Sequence, residues 1–317
     1  MKTYANQNAW RELNALMPAK HRLMDDFLPQ EEWLDWQGHR VHLDCYRNEN
    51  APAKIILLHG VGTNGRQMQM VLGHFLAKQG FETIAIDMPT YGMTQVNPHK
   101  TVVYDDWIEL GSAYIDVEKQ KDNRPIFLYG LSAGGMETYD VAAKNGKVAG
   151  IIGMTFLDTK NQAVRDTTAF NLLTSRVVVP LLPYLVKMGL GKMTIPMRLA
   201  CKMSLLCNHK QAMKVFFKDK TSAGNRASYA FLNSYMFHEL ITPPEQFGVC
   251  PVLLTQPAAD GWTPLELSQP FLARIKQVPV KTVMLPNGGH YPMEEDALDV
   301  LHAAVLDFIQ GVLANKI

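Results

Sequence analysis

Little in this chain would hold it together covalently or carry it into a membrane. Only four cysteines, Cys45, Cys201, Cys207 and Cys250, are spread over 317 residues, and none stands in a Cys-x-x-Cys spacing. That scarcity argues against a disulfide framework and a zinc site, and it predicts buried free thiols in a reducing compartment. No apolar run reaches 18 residues, so no spanning helix or stable membrane insertion is expected. Behind Met1-Lys2-Thr3-Tyr4-Ala5-Asn6-Gln7-Asn8 there is no apolar stretch of the kind a signal peptide needs. The expected location is therefore cytoplasmic. Nor does charge of one sign dominate, since 31 basic residues face 30 acidic ones, and nucleic acid is not expected as a partner. What remains is a composition 47% hydrophobic and 19% charged, enough for one large domain or a core with a sizeable insertion.

The order of elements is legible. Residues 1–30 read as a mixed helical or irregular lead-in, broken by Pro18 and Pro29, with no assigned function. Rough alternation over 31–36 and 40–46, around Gln37-Gly38-His39, predicts two antiparallel strands and a tight turn. Lys54-Ile55-Ile56-Leu57-Leu58 is a continuous apolar run, as expected in a parallel sheet covered on both faces. A helix over 66–78 closed by Gly80, a strand over 81–87 and a helix over 102–119 follow. Further strands are predicted over 125–128 and 148–156. Strand and helix alternate through the whole first half, which defines an α/β layered fold.

Near Asp158 the period changes. From 159 to 245 the sequence is rich in leucine, methionine and phenylalanine, with breaks at Pro180, Pro183 and Pro196. The strand pattern returns at 251–255 and 280–285. A terminal helix from about 294 to 313 carries Leu298, Leu301, Val305, Phe308 and Val312 as an apolar stripe. The expected organisation is thus a core of 1–158 and 246–317, with residues 1–30 as an extension, and a helical cap over 159–245 inserted after the sixth strand.

Chemistry concentrates on Tyr129-Gly130-Leu131-Ser132-Ala133-Gly134-Gly135, between an apolar strand and a helical segment. Gly-x-Ser-x-Gly in that setting is a nucleophile elbow, a sharp turn that presents Ser132. A Cβ at Gly130 or Gly134 would crowd the turn, and Ser132 itself is expected at strained backbone angles. The competing reading makes Ser132 a plain helix cap. A serine hydroxyl needs a base, and His290 sits in the glycine-rich loop Pro286-Asn287-Gly288-Gly289-His290-Tyr291-Pro292 between the last strand and helix. An imidazole base needs a carboxylate to set its tautomer. Asp260, just past the preceding strand, is the candidate, and Asp158 its rival. The oxyanion donors are the backbone N–H of Ala133, at a helix start, and that of Val61 in His59-Gly60-Val61-Gly62. Gly60 and Gly62 allow close approach, and His59 is expected to brace the loop by hydrogen bonding.

With His59-Gly60, Asp87-Met88-Pro89-Thr90-Tyr91-Gly92, the Ser132 elbow, Asp260 and Gly289-His290 in this order, the chain resembles the α/β-hydrolase superfamily. Within it, the chain resembles the capped lipase, esterase and proline iminopeptidase-like branch, over about residues 40–313. The resemblance implies a structural role for Asp87 and Gly92. Proline at 257 departs from a glycine common three residues before the acid. The order Ser132, Asp260, His290 fits this superfamily. The expected function is a serine hydrolase cleaving small to medium apolar carboxylic esters through an acyl-enzyme, without metal or organic cofactor. An acyltransferase, a lactonase or an aminopeptidase would use the same triad, the last with an acidic group such as Glu239 or Glu245 near the pocket. A lipase is also open, because 177–186 could meet a lipid surface. A non-catalytic ligand-binding protein would have little need of the full triad.

Overall fold

A computed structural model describes residues 2–316. The hairpin forms as β1 (Gln30–Trp36) and β2 (His39–Tyr46), turned by Gln37 and Gly38, whose φ angles are +48° and +77°. Two consecutive left-handed residues match the right-handed twist of the strands they join. β3 (Lys54–Leu58), β4 (Glu82–Ile86), β5 (Ile126–Gly130) and β6 (Gly150–Gly153) are buried along their whole length. β7 (Thr194–Pro196) and β8 (Arg226–Ser228) make a small separate ribbon, and β9 (Val252–Pro257) and β10 (Val280–Leu285) return to the main sheet. The sheet order is β1-β2-β4-β3-β5-β6-β9-β10. β2 runs antiparallel to β1 and to β4, and every pair from β4 to β10 is parallel.

Parallel strands buried on both faces need helices above and below, because their connections cross over. The helices Tyr104–Lys121, Ala133–Asn145 and Glu295–Leu313 supply that cover. On the last of these, Leu298, Leu301, Val305 and Phe308 are buried as the periodicity requires. The segment expected as one helix over 66–78 begins at Gly65, where the Asn64 and Gln67 side chains cap each other's backbone N–H. It then passes through a π turn, Gln69–Gly73, before His74–Lys78.

The strand expected over 148–156 is shorter. Met154 N still donates to Gly130 O of β5 at 2.9 Å, and past it the chain supports the serine turn, Thr155 Oγ1 donating to Ser132 O at 3.1 Å. Helices then fill most of the inserted region between β6 and β9, among them Gln162–Thr168, Val179–Lys187, Lys210–Lys218 and Tyr229–Met236. All four cysteines are buried free thiols.

The first thirty residues are not a loose lead-in. The helix Ala9–Leu16 packs on Lys210–Lys218 of the insertion and buries Trp10 and Leu13. Gln7 Nε2 donates to Asp219 Oδ1 and Thr221 Oγ1, also in the insertion. Fully buried Tyr4 donates its hydroxyl to both oxygens of Asp87, at 2.8 and 3.0 Å.

Candidate active site

β5 ends at Gly130 and the helix Ala133–Asn145 begins three residues later, so the chain must reverse within Leu131 and Ser132. Ser132 takes φ +57° and ψ −122°, a region open mainly to glycine. Two glycines make the reversal possible. A Cβ on Gly130 would fall on the Gly134 carbonyl, and one on Gly134 would fall on the Leu58 carbonyl. Ser132 accepts no capping bond at its side chain, which removes the reading of it as a plain helix cap.

β3 brings the second loop against this turn. A Cβ on Gly60 would lie 2.7 Å from Ser132 Cβ and 3.2 Å from Ala133 N, so only glycine lets the loop approach so closely. His59 holds that loop from behind. Its Nδ1–H donates to Gly60 O at 2.9 Å, and its Nε2 accepts from Met88 N at 3.0 Å. Burial lowers its pKa, in keeping with a neutral ring that donates on one side and accepts on the other. Val61 and Ser132 line the same small cavity.

β9 and β10 deliver the carboxylate and the imidazole. Asp260 Oδ2 lies 2.8 Å from His290 Nδ1, with both side chains buried. Asp260 Oδ1 accepts from the backbone N–H of Trp262 and of Thr263, both at 2.8 Å. Burial alone would raise the Asp260 pKa, but the His290 ring and the Thr263 donors overcome it and hold the carboxylate at about 2. His290 Nε2 is buried and has no hydrogen-bond partner among the described residues, Ser132 included, so it is the free nitrogen of the ring. Asp158, the rival carboxylate, instead accepts from Lys160 N at the start of the insertion and makes no bond to His290. Pro257 is simply the last residue of β9, paired with Leu285.

Two neighbours escaped the sequence reading. Thr263 Oγ1 donates to Asp260 Oδ2 at 2.7 Å and lies 3.0 Å from His290 Nδ1. Trp262 sets its ring 4.8 Å from that of His290 and donates Nε1–H to Thr168 O in the insertion. The signal was present, for an aspartate followed at the third position by threonine is a turn in which side chain and backbone bond locally.

The cavity at Ser132 is walled by Val61, Leu157 and Trp262 on one side and by Met197, Cys201 and Tyr235 of the insertion on another. Its volume is about 40 Å³. Pockets that hold small organic ligands run to about 300–1,000 Å³, so this one is closed down. Glu239 and Glu245 do not line it. Glu239 pairs with Lys160 and Glu245 with Arg274, both at the surface.

A mostly parallel eight-stranded sheet with a serine at the β5 turn and helices inserted after β6 is the architecture of α/β hydrolases. A family model described as "Alpha/beta hydrolase family" matches residues 55–304, and the chain belongs to that family. No relative was found among the curated proteins. Solved structures share the fold. A soluble variant of monoglyceride lipase from Saccharomyces cerevisiae superposes with a TM-score of 0.72 at 14% identity, covering 93% of this chain and 98% of its own. A monoacylglycerol lipase from Paleococcus ferrophilus gives 0.66 at 18% identity, over 86% and 98%. A thermostable carboxyl esterase from Bacillus coagulans gives 0.68 at 18% identity, over 90% and 99%.

Proposed function

We propose that the chain is a serine hydrolase that cleaves carboxylic esters with a small to medium apolar acyl group through an acyl-enzyme. The observation that carries this is the conjunction of a strained Ser132 with a buried His290–Asp260 pair whose outer nitrogen is free. In this reading His290 Nε2 takes the Ser132 hydroxyl proton as Oγ attacks the ester carbonyl. Asp260 keeps the proton on Nδ1 and stabilises the imidazolium. The N–H groups of Val61 and Ala133 hold the oxyanion, the latter helped by the helix that starts there. The imidazolium gives its proton to the leaving alcohol. Water, deprotonated by the same histidine, then attacks the acyl-enzyme and releases the acid.

The substrate class rests on the lining, which is mostly leucine, methionine, valine and aromatic carbon. An apolar acyl chain is favoured there, because burying each methylene contributes about 0.8 kcal/mol. Admitting it requires the insertion side of the wall, Met197 to Cys201 and Leu232 to Met236, to give way. Structural relatives that act on monoglycerides and carboxyl esters agree with this reading.

The test is labelling by a fluorophosphonate, read by intact mass, beside turnover of p-nitrophenyl esters from acetate to palmitate. Wild type should take one label. Ser132→Ala should take none, and His290→Ala should label far more slowly. Turnover should peak at a short or middle acyl chain and fall by about 10⁴-fold or more in either variant. Folded wild type that takes no label would end the serine-hydrolase reading.

A further inference from the structure

The balanced charge of the whole chain hides a strong asymmetry. Residues 170–226, most of the insertion, hold ten of the 31 lysines and arginines but only one of the 30 acidic residues, Asp219. The remainder therefore has 21 basic against 29 acidic residues. Asp219 is buried and spends its carboxylate on Thr221, Ser222 and Gln7. Of the ten cations only Arg176 has a carboxylate partner among the described residues, Asp166. Lys187, Lys192 and Arg198 are exposed and unpaired.

The same insertion carries an apolar face that nothing covers among the described residues. The π turn Thr174–Val178 runs into the helix Val179–Lys187, which buries Val179 and Leu182, half-buries Leu185 and Val186, and turns Leu181, Tyr184 and Lys187 outward. Val177, Leu181, Tyr184 and Met188 recur at four, three and four residues, on one face, and are 47, 49, 67 and 73% exposed. Leu173 before the turn, and Met193 and Leu199 further along the insertion, are also about half exposed or more. A helix with its apolar face outward and Lys187 at its end, followed within eleven residues of chain by Lys192 and Arg198, is the reverse of an ordinary surface helix.

We propose that this face of the insertion docks on the surface of an anionic phospholipid bilayer. The apolar stripe enters the boundary between headgroups and acyl chains, and Lys187, Lys192 and Arg198 meet the lipid phosphates. Charge complementarity selects this occupant. A water-soluble acidic partner would need the cations but not the long aliphatic stripe, and a second copy of the chain would set two cationic faces against each other. Among the described residues no helix is long and apolar enough to cross a bilayer, so the contact is peripheral. The docked segment leads directly to Met197 and Cys201, which wall the Ser132 cavity. Substrate would then enter from the lipid side.

Vesicle flotation with the full chain tests this without reference to turnover. Phosphatidylcholine vesicles are compared with vesicles that also contain phosphatidylglycerol, at low and high salt. Wild type should bind the anionic vesicles about tenfold or more tightly than the neutral ones, and salt should weaken that binding. Lys187→Glu/Lys192→Glu/Arg198→Glu should lose at least about tenfold on anionic vesicles. Leu181→Asp/Tyr184→Asp should lose binding even at low salt. All sites are exposed, and circular dichroism of each variant establishes that it folds. Equal binding to both vesicles, no binding to either, or variants that bind like wild type would overturn the proposal. So would a stable dimer in light scattering that the Leu181→Asp/Tyr184→Asp change dissolves, since a second copy would then own the face. If labelling of Ser132 fails while flotation succeeds, the surface stands and the hydrolase reading falls.

Discussion

At the scale of single residues, the site depends on groups whose role is to hold other groups. Thr263 shows this most directly. Its hydroxyl donates to the Asp260 oxygen that also faces His290. Valine keeps the shape and removes the donor, leaving a buried carboxylate short of one bond, a loss of roughly 1.5–3 kcal/mol for a charged acceptor. Thr263→Val should lower kcat on a short p-nitrophenyl ester by about tenfold with KM nearly unchanged. A raised KM with an intact kcat would instead make Thr263 part of the pocket wall. His59 is a parallel case. The sequence led to the expectation that it braces the loop, and both ring nitrogens are engaged with backbone, so no nitrogen is left for substrate.

At the scale of elements, the N-terminal segment is a strap across two distant parts of the fold. Tyr4 reaches Asp87, whose carboxylate also accepts from Gly65 N and Met93 N and pairs with His42. Arg66, bound twice to buried Asp44, lies against the rings of both Tyr4 and Trp10. Removing the Tyr4 hydroxyl leaves the other Asp87 donors in place, so Tyr4→Phe should cost only about 1–2 kcal/mol. Trp10→Ala empties a core position and should cost about 3–5 kcal/mol. Urea unfolding of the two variants measures both, and a Trp10→Ala midpoint equal to wild type would mean the strap is not part of the cooperative unit. The segment was opaque in the sequence because its partners, Asp87 and Asp219, stand some eighty and two hundred positions away. No local pattern encodes such a contact.

At the scale of the whole molecule, four buried histidines couple stability to pH in two opposite senses. Burial opposes protonation of His42, but Asp87 and Glu31 overcome it and raise its pKa to about 9. His238, where the insertion meets the helices Tyr104–Lys121 and Ala133–Asn145, is likewise raised to about 9 by Asp105 and Asp140. Both folded values lie above the ordinary 6.5. Their stabilisation is thus fully present below about pH 6.5 and is lost as pH rises through about 9. His74 and His302 behave oppositely. Burial lowers each to about 4, so the stability they contribute is present above about pH 6.5 and fades as pH falls through 4. Tm should therefore drop between pH 7 and pH 10 by roughly 5 °C. In a His42→Gln/His238→Gln double variant the starting Tm should be lower and that alkaline drop largely absent. An alkaline drop of wild-type size in the double variant would assign it to other groups.

Much of this was settled by the linear chain. The apolar runs that became β3, β5 and β9 are contiguous in sequence, so burial on both faces could be read directly. The elbow was legible for the same reason, since its glycines, its serine and its flanking strand and helix lie within twenty residues. The order of Ser132, Asp260 and His290 along the chain could be read, and the bond between the last two follows from loops at neighbouring strand ends. Only tertiary structure decided how far β6 runs, because past Gly153 the Thr155 side chain turns to brace Ser132. It alone decided which side chains of the insertion wall the cavity and which face outward. An apolar residue in a helix signals burial by its spacing, but Leu181 and Tyr184 satisfy that spacing on a face that no other element covers among the described residues. Whether such a face meets protein or water depends on where the remaining helices pack, and that is set by contacts between segments far apart in the chain.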